Sequence, residues 1–181
     1  MVSATMTDIL PTYRFDFASL TDAPQVATLI ERAYRGPEAA KGWTNESTLL
    51  TGPRSSVVEV EGLIRDSESR IVTASAGDRL VGSALIQKQG GGAYFGMFAI
   101  DPAAQGGGLG KTMMARCEAA ARELWGAQSM KLTVISLRDQ LVEWYERRGY
   151  VRTGEREPFP FESATGALRT DFDLVVLRKP L

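Results

Sequence analysis

An apolar run that ends in a glycine loop and reopens as an amphipathic helix, all within residues 94–124, constrains this chain more than any other stretch. The run is Tyr94-Phe95-Gly96-Met97-Phe98-Ala99-Ile100, followed by the turn Asp101-Pro102 and the loop Gln105-Gly106-Gly107-Gly108-Leu109-Gly110-Lys111. Being apolar on both faces, the run predicts a central buried strand. Beyond the loop, Gly110, Met113, Met114, Cys117, Ala120, Ala121 and Leu124 fall on one helical stripe, which predicts a helix packed on a sheet. Glycines let the backbone approach a ligand where a Cβ would collide, and the first N–H groups of a helix have no intrahelical partner. The macrodipole adds about half a positive charge at the same end. The stretch is therefore a candidate cradle for phosphate or pyrophosphate.

Spacing separates the readings of that cradle. A Walker A loop needs glycine, four residues, then Gly-Lys-Ser/Thr; Gly110-Lys111-Thr112 supplies the end, but Gln105 stands where the first glycine belongs. The dinucleotide pattern Gly-x-Gly-x-x-Gly fails in both registers, which arrive at Lys111 and Met113. Gln105, Gly108 and Gly110 do satisfy Gln-x-x-Gly-x-Gly. A glycine-rich turn without a ligand is the plain alternative.

In this pattern the chain resembles the GCN5-related N-acetyltransferase (GNAT) family, whose acyl-CoA loop reads Gln/Arg-x-x-Gly-x-Gly/Ala between a strand and a helix. A second segment, Tyr145-Glu146-Arg147-Arg148-Gly149-Tyr150, is similar to the family's Tyr-x-x-x-Gly-Phe/Tyr and follows a strand-like Leu132-Thr133-Val134-Ile135. The resemblance implies a central mixed, mostly antiparallel twisted sheet of about six or seven strands flanked by about four helices. It implies acetyl-CoA as cofactor and a primary amine of a small molecule or peptide as acceptor.

Composition removes other chemistries. The chain contains no histidine, which excludes Ser-His and Cys-His catalysis and imidazole metal ligation. Its one cysteine, Cys117, lies in the apolar stripe and reads as a small buried residue rather than a nucleophile. A net charge of −1 suggests no nucleic-acid partner. No apolar run approaches the roughly 18 residues of a membrane span, and residues 1–11 lack the pattern of a secretion signal, so a cytoplasmic protein is expected. A length of 181 residues is most simply one domain, with residues 1–11 as a flexible leader.

The remaining elements follow from pattern. Tyr13-Arg14-Phe15-Asp16-Phe17 alternates as a half-buried strand. Thr21-Asp22 caps a helix carrying Val26, Leu29, Ile30 and Ala33. Residues 55–68 read as a helix with Val57 or Val58, Leu63 and Ile64 inward. Two strands, 71–74 and 80–86, form a hairpin around Gly77-Asp78. Strand 130–135, a helix over 139–148 with Leu141, Trp144 and Tyr145 inward, a strand at 150–154 and a last strand at 171–177 complete a mixed sheet with helices on both faces.

The resemblance assigns roles. The backbone of Phe98, Ala99 and Ile100 would flank the pantetheine arm and stabilise an oxyanion; Gln105, Gly106, Gly107, Gly108, Leu109, Gly110 and Lys111 would hold the pyrophosphate. Tyr145 would be the general acid, with an aromatic core residue as the plain alternative. The family's frequent glutamate twelve residues before that tyrosine is here Thr133, and its cofactor-contacting asparagine is here Arg138, either a phosphate ligand or a helix-entry cation. The base is thus unassigned, with Glu46, Glu61 and Glu157 as candidates. Trp43, Glu46, Arg54 and Glu157 are candidates for the acceptor wall, the two glutamates hinting at a cationic acceptor and Trp43, Phe159 and Phe161 at an apolar one. A non-catalytic acyl-CoA sensor of the same fold is the alternative function, and a homodimer through the loop before the last strand stays open.

Overall fold

Gly77, at φ +59°, and Asp78 close the hairpin between β2 (Ser69–Ala76) and β3 (Arg79–Gln89), and the rest of the sheet grows outward from this pair. The computed structural model describes residues 12–35, 37–42, 45–162 and 166–181; the expected leader and Trp43 lie outside the described residues. β1 (Tyr13–Phe17) adds to the free edge of β2, and β4 (Gly92–Ile100) pairs with β3. β5 (Ser129–Ile135), β6 (Val151–Glu157) and β7 (Leu174–Pro180) extend the sheet in the order β1-β2-β3-β4-β5-β7-β6. All neighbours are antiparallel except β4 and β5.

Helices cover both faces, as the element order predicted. On one side α1 (Ala23–Tyr34) and α2 (Val57–Arg65) bury Val26, Ile30 and Val60 against Ile71, Leu85 and Ala99. On the other, α3 (Leu109–Trp125) and α4 (Asp139–Glu146) bury Met113, Met114, Cys117 and Val142 against Val72, Ile86, Phe95 and Leu132. The result is the seven-strand mixed sheet with four helices that the resemblance implied.

Several boundaries move for local reasons. α2 starts at Val57 because the Ser56 side chain accepts the Glu59 N–H, and its buried residue is Val60, while Val57 and Val58 are exposed. The last strand runs from Leu174 to Pro180 rather than over 171–177, because its register is set by pairing Leu174 with Ile135 and Pro180 with Ser129. α3 rolls slightly about its axis relative to the expected stripe: Leu124 is exposed and Glu118 is buried. Glu118 accepts from the Tyr150 hydroxyl at 3.0 Å and from Lys179 Nζ at 2.9 and 2.8 Å, tying α3 to the last strand.

Removing one partner of a buried ion pair leaves the other charge uncompensated. Glu118→Ala is expected to lower unfolding free energy by about 3 kcal/mol, the lower end for such pairs because Lys179 keeps partial access to water. Urea denaturation checks this; a loss within experimental error would show the pair contributes nothing.

Candidate active site

Two adjoining neighbours in the sheet part company at the centre of the molecule. β4 and β5 pair only at Ala93 with Met130 and Tyr94 with Lys131, whereas β4 stays paired with β3 as far as Ile100 and β5 with β7 as far as Ile135. Between Gly96, opposite Leu85, and Ala99, opposite Ser83, two residues of β4 face the single residue Ala84, which makes a β-bulge at Met97-Phe98. Met97 sits at φ 45°, the single non-glycine residue with positive φ among the described residues. A bulge withdraws backbone groups from the ladder and increases the local twist. Tyr34, at the end of α1, donates its hydroxyl to the Phe98 carbonyl at 2.7 Å, which fixes the bulge from the other face.

The space opened by the parting strands is a cleft of about 720 Å³. Gly96, Met97, Phe98, Thr133 and Tyr145 line it, together with Tyr94. The Tyr94 hydroxyl lies 3.3 Å from Thr133 Oγ1, bridging the two strands where they separate. Tyr94 folds back over Gly96: a Cβ built there would lie 2.6 Å from the ring.

At the C-terminal end of β4 the glycine loop turns into α3. Gly106 and Gly108 have φ of +88° and +83°, and nothing lies within 4 Å of a Cβ placed on either, so the loop backbone faces open space. Gly108 is the N-cap of α3 and, having no side chain, leaves the first amides of the helix uncapped. Gln105 Nε2 donates to the Ile100 carbonyl at 3.1 Å, which binds the loop to the strand end. A groove of about 300 Å³ runs past this loop, lined by Gln105, Gly106, Gly108, Gly110 and Lys111. Its other wall contains Trp144, Arg147 and Arg148, so every charged side chain along it is cationic. Gly107 is exposed outside the groove, Leu109 is buried in the core, and Ala99 packs against α1. Phe98 and Leu141 line both groove and cleft, which makes them neighbours.

A profile of the acetyltransferase (GNAT) domain matches residues 52–159, a span that contains the bulge, the glycine loop and Tyr145. The chain belongs to the GNAT acetyltransferase family. Solved structures agree on the fold: the ribosomal-protein-S18-alanine N-acetyltransferase of Escherichia coli superposes with a TM-score of 0.69 at 16% identity, covering 93% of this chain and 94% of that one. A spermidine N-acetyltransferase chimera from Vibrio cholerae and hSSAT gives 0.68 at 20% identity, covering 93% and 95%. A Bacillus anthracis structure in complex with acetyl coenzyme A gives 0.55 at 18% identity over 66% of each chain. No curated protein matches the sequence significantly.

In this GNAT domain Tyr145 is buried yet borders the cleft, its ring packed edge-on against Trp144 and Tyr150 at 5.1 and 5.9 Å between centroids. Burial pushes its phenol well above the ordinary value, so it keeps its proton. Burial does the same to the Cys117 thiol, in agreement with a packing role. Glu46 is buried in the cleft wall and accepts from Arg35 at 2.8 Å, with Arg54 Nε and an Arg138 nitrogen each at 3.8 Å. Arg138 thus borders the cleft and does not line the groove beside the glycine loop. Glu157 pairs with Lys131 at 2.5 Å and lines neither space. Glu61 pairs with Arg65 at 3.0 Å on α2, and no group of three or more potential metal ligands occurs among the described residues.

Sequence reading missed Tyr34, Tyr94 and Arg35. Tyr34 continues the α1 stripe one turn past Ile30 and was visible as a core position; nothing local marks its hydroxyl as the partner of Phe98. Arg35 has no sequence signal at all.

Gly96→Ala is expected to leave the fold intact but to displace the Tyr94 ring and lower acetyl-transfer efficiency by about tenfold or more; steady-state kinetics beside a thermal melt read both, and full activity would show that the ring position is irrelevant. Tyr34 is pushed up to about 12 by burial, and Tyr145 and Tyr150 are raised by burial as well. Between about pH 10, where phenols of the unfolded chain ionise, and 12, the folded state holds more protons, so stability falls as pH rises. Urea midpoints from pH 8 upward, with absorbance titration of phenolate, should show a decline starting near pH 10; a flat profile would contradict the burial of these hydroxyls.

Proposed function

We propose that the protein is an acetyl-CoA-dependent N-acetyltransferase acting on a primary amine of a small molecule or peptide by direct attack. The observation that carries this reading is the continuity of an uncapped helix start, a cationic groove and a cleft floored by a strand bulge, joined at Phe98 and Leu141. Acetyl-CoA supplies an activated acyl carbon on a thioester and an anionic handle of phosphates. The residues fit that handle: the open Gly106 and Gly108 backbone, the first amides of α3, and Lys111, Arg147 and Arg148 offer donors and positive charge.

The net exchange forms one C–N bond and breaks one C–S bond, removing a proton from nitrogen and returning one to sulfur. Backbone N–H groups freed around the Met97-Phe98 bulge serve the oxygen on which negative charge develops. Tyr34 holds this segment in place through the Phe98 carbonyl. Tyr145 presents its hydroxyl hydrogen to the departing sulfur. With a phenol held so far up, complete transfer to a thiolate of ordinary pKa is uphill, so its contribution is chiefly a hydrogen bond that strengthens as sulfur gains charge. Of the candidate bases, Glu46 is committed to Arg35, and Glu61 and Glu157 lie elsewhere. The Tyr94 and Thr133 hydroxyls, in the open cleft at the strand separation, offer a route for the amine proton to water.

Thr133 in place of the family glutamate favours the alternative of an acyl-CoA sensor without turnover. Calorimetric titration with acetyl-CoA and ATP, together with thiol release across an amine panel, separates these readings. Saturable acetyl-CoA binding with thiol release is expected, and Tyr145→Phe should lower kcat by about a hundredfold with little change in acetyl-CoA affinity. Binding of ATP alone would overturn the reading, binding without turnover would support the sensor, and an undiminished Tyr145→Phe enzyme would remove that residue from the mechanism.

A further inference from the structure

The cleft gathers charged side chains from separate segments of the chain around Glu46. Three guanidinium groups lie within 4 Å of Glu46, at 2.8 Å for Arg35 and 3.8 Å for Arg54 and Arg138. The side chains of Arg35, Glu46 and Arg138 are 10%, 11% and 12% exposed, and that of Arg54 is 29% exposed. Glu59 also lines the cleft, so among the described residues its charged lining comprises Arg35, Arg54, Arg138, Glu46 and Glu59.

The arginines are not equivalent. Arg35 hydrogen-bonds to Glu46 and spends Nε on the Gly52 carbonyl at 2.9 Å, so it is a strut between α1 and the following loop. Arg54 stands apart, because its guanidinium makes no hydrogen bond among the described residues and lies over the Tyr34 ring, 5.0 Å from the centroid. Its backbone is nonetheless firmly placed: the Glu31 carboxylate accepts the N–H groups of both Arg54 and Ser55. The Arg54 fork is therefore held ready at the cleft, one tyrosine ring from the Phe98 carbonyl. The Arg54 guanidinium, half-buried, has the Tyr34 ring and the Glu46 carboxylate at 3.8 Å beside it, and a carboxylate satisfies such a planar fork bidentately.

Resting on the acyl-transfer reading above, we propose that the acceptor carries a carboxylate beside its amine, and that Arg54, flanked by Arg138, receives it. The carboxylate of such an acceptor gives the Arg54 fork the hydrogen-bond partner that it lacks among the described residues. A polyamine offers the Arg54 fork no acceptor and brings a further cation beside it, so this part of the cleft selects against it. Leu50, Pro53 and Phe159 supply an apolar boundary to the cleft, which suits an amino acid with an apolar side chain.

The test has a turnover arm and a binding arm. Thiol release from acetyl-CoA is measured with phenylalanine and leucine, their carboxamides, and the corresponding decarboxylated amines. The acids should be preferred by about tenfold or more in kcat/KM, and Arg54→Met should bring the acid-to-amide ratio toward one through KM of the acids. In parallel, benzoate and benzamide are titrated into the protein premixed with CoA. Benzoate should bind about tenfold more tightly, a margin that disappears in Arg54→Met and partly survives in Arg54→Lys, with thermal melts showing that both variants fold. Turnover without preference for the acids overturns the proposal and leaves acyl transfer standing. Absence of turnover with an Arg54-dependent preference for benzoate sustains the anion site and sinks the acyl-transfer reading. Benzoate bound no better than benzamide, or not bound, overturns the proposal.

Discussion

Everything at the centre of this protein depends on two strands that cease to be hydrogen-bonded. β4 and β5 share two residue pairs and then diverge, each continuing to pair on its other side. A sheet normally satisfies its backbone through both neighbours, and buried main-chain groups left without partners are costly. Here the gap opens into a cleft of about 720 Å³, and the bulge at Met97-Phe98 shapes the strand edge along it. Tyr34 from α1 and the Tyr94–Thr133 bridge brace the two sides, so the opening is built into the fold rather than being a defect of it.

Electrostatics around that opening are local and run against the bulk composition. The chain as a whole has a net charge of −1, yet the groove at the glycine loop is bordered by Lys111, Arg147 and Arg148, and the cleft wall by Arg35, Arg54 and Arg138. In the cleft Glu46 and Glu59 stand beside the arginines, whereas the charged side chains lining the groove are all cationic. Arg148 stacks on Trp144, 3.4 Å from the ring centroid, and donates to its carbonyl, a contact that holds the cation against the groove wall.

Local patterns in the chain translated into structure where one element alone sets the outcome. The Gly77-Asp78 hairpin, the alternating β1, and the strand, glycine loop and helix of residues 94–124 all appear at their expected places. Errors arose where a neighbour distant in sequence decides which side of an element faces inward. Leu124 continues the helical stripe but is exposed, and Glu118 is buried because Tyr150 and Lys179 reach it from segments 32 and 61 residues away. Glu46 likewise takes its setting from distant segments: Arg35, Arg54 and Arg138 gather around it from separate parts of the chain.

The order of residues by itself determined the element types, the glycine entrance of α3, a threonine rather than a carboxylate at position 133 and the exclusion of histidine chemistry, because each depends on spacing or identity within a short segment. The tertiary structure alone decided that β4 and β5 separate, that Tyr34 buttresses the bulge, and that Arg54 is left with its fork toward the cleft. Those outcomes come from hydrogen bonds, burial and charge shared between residues far apart in the chain, and no local period encodes them.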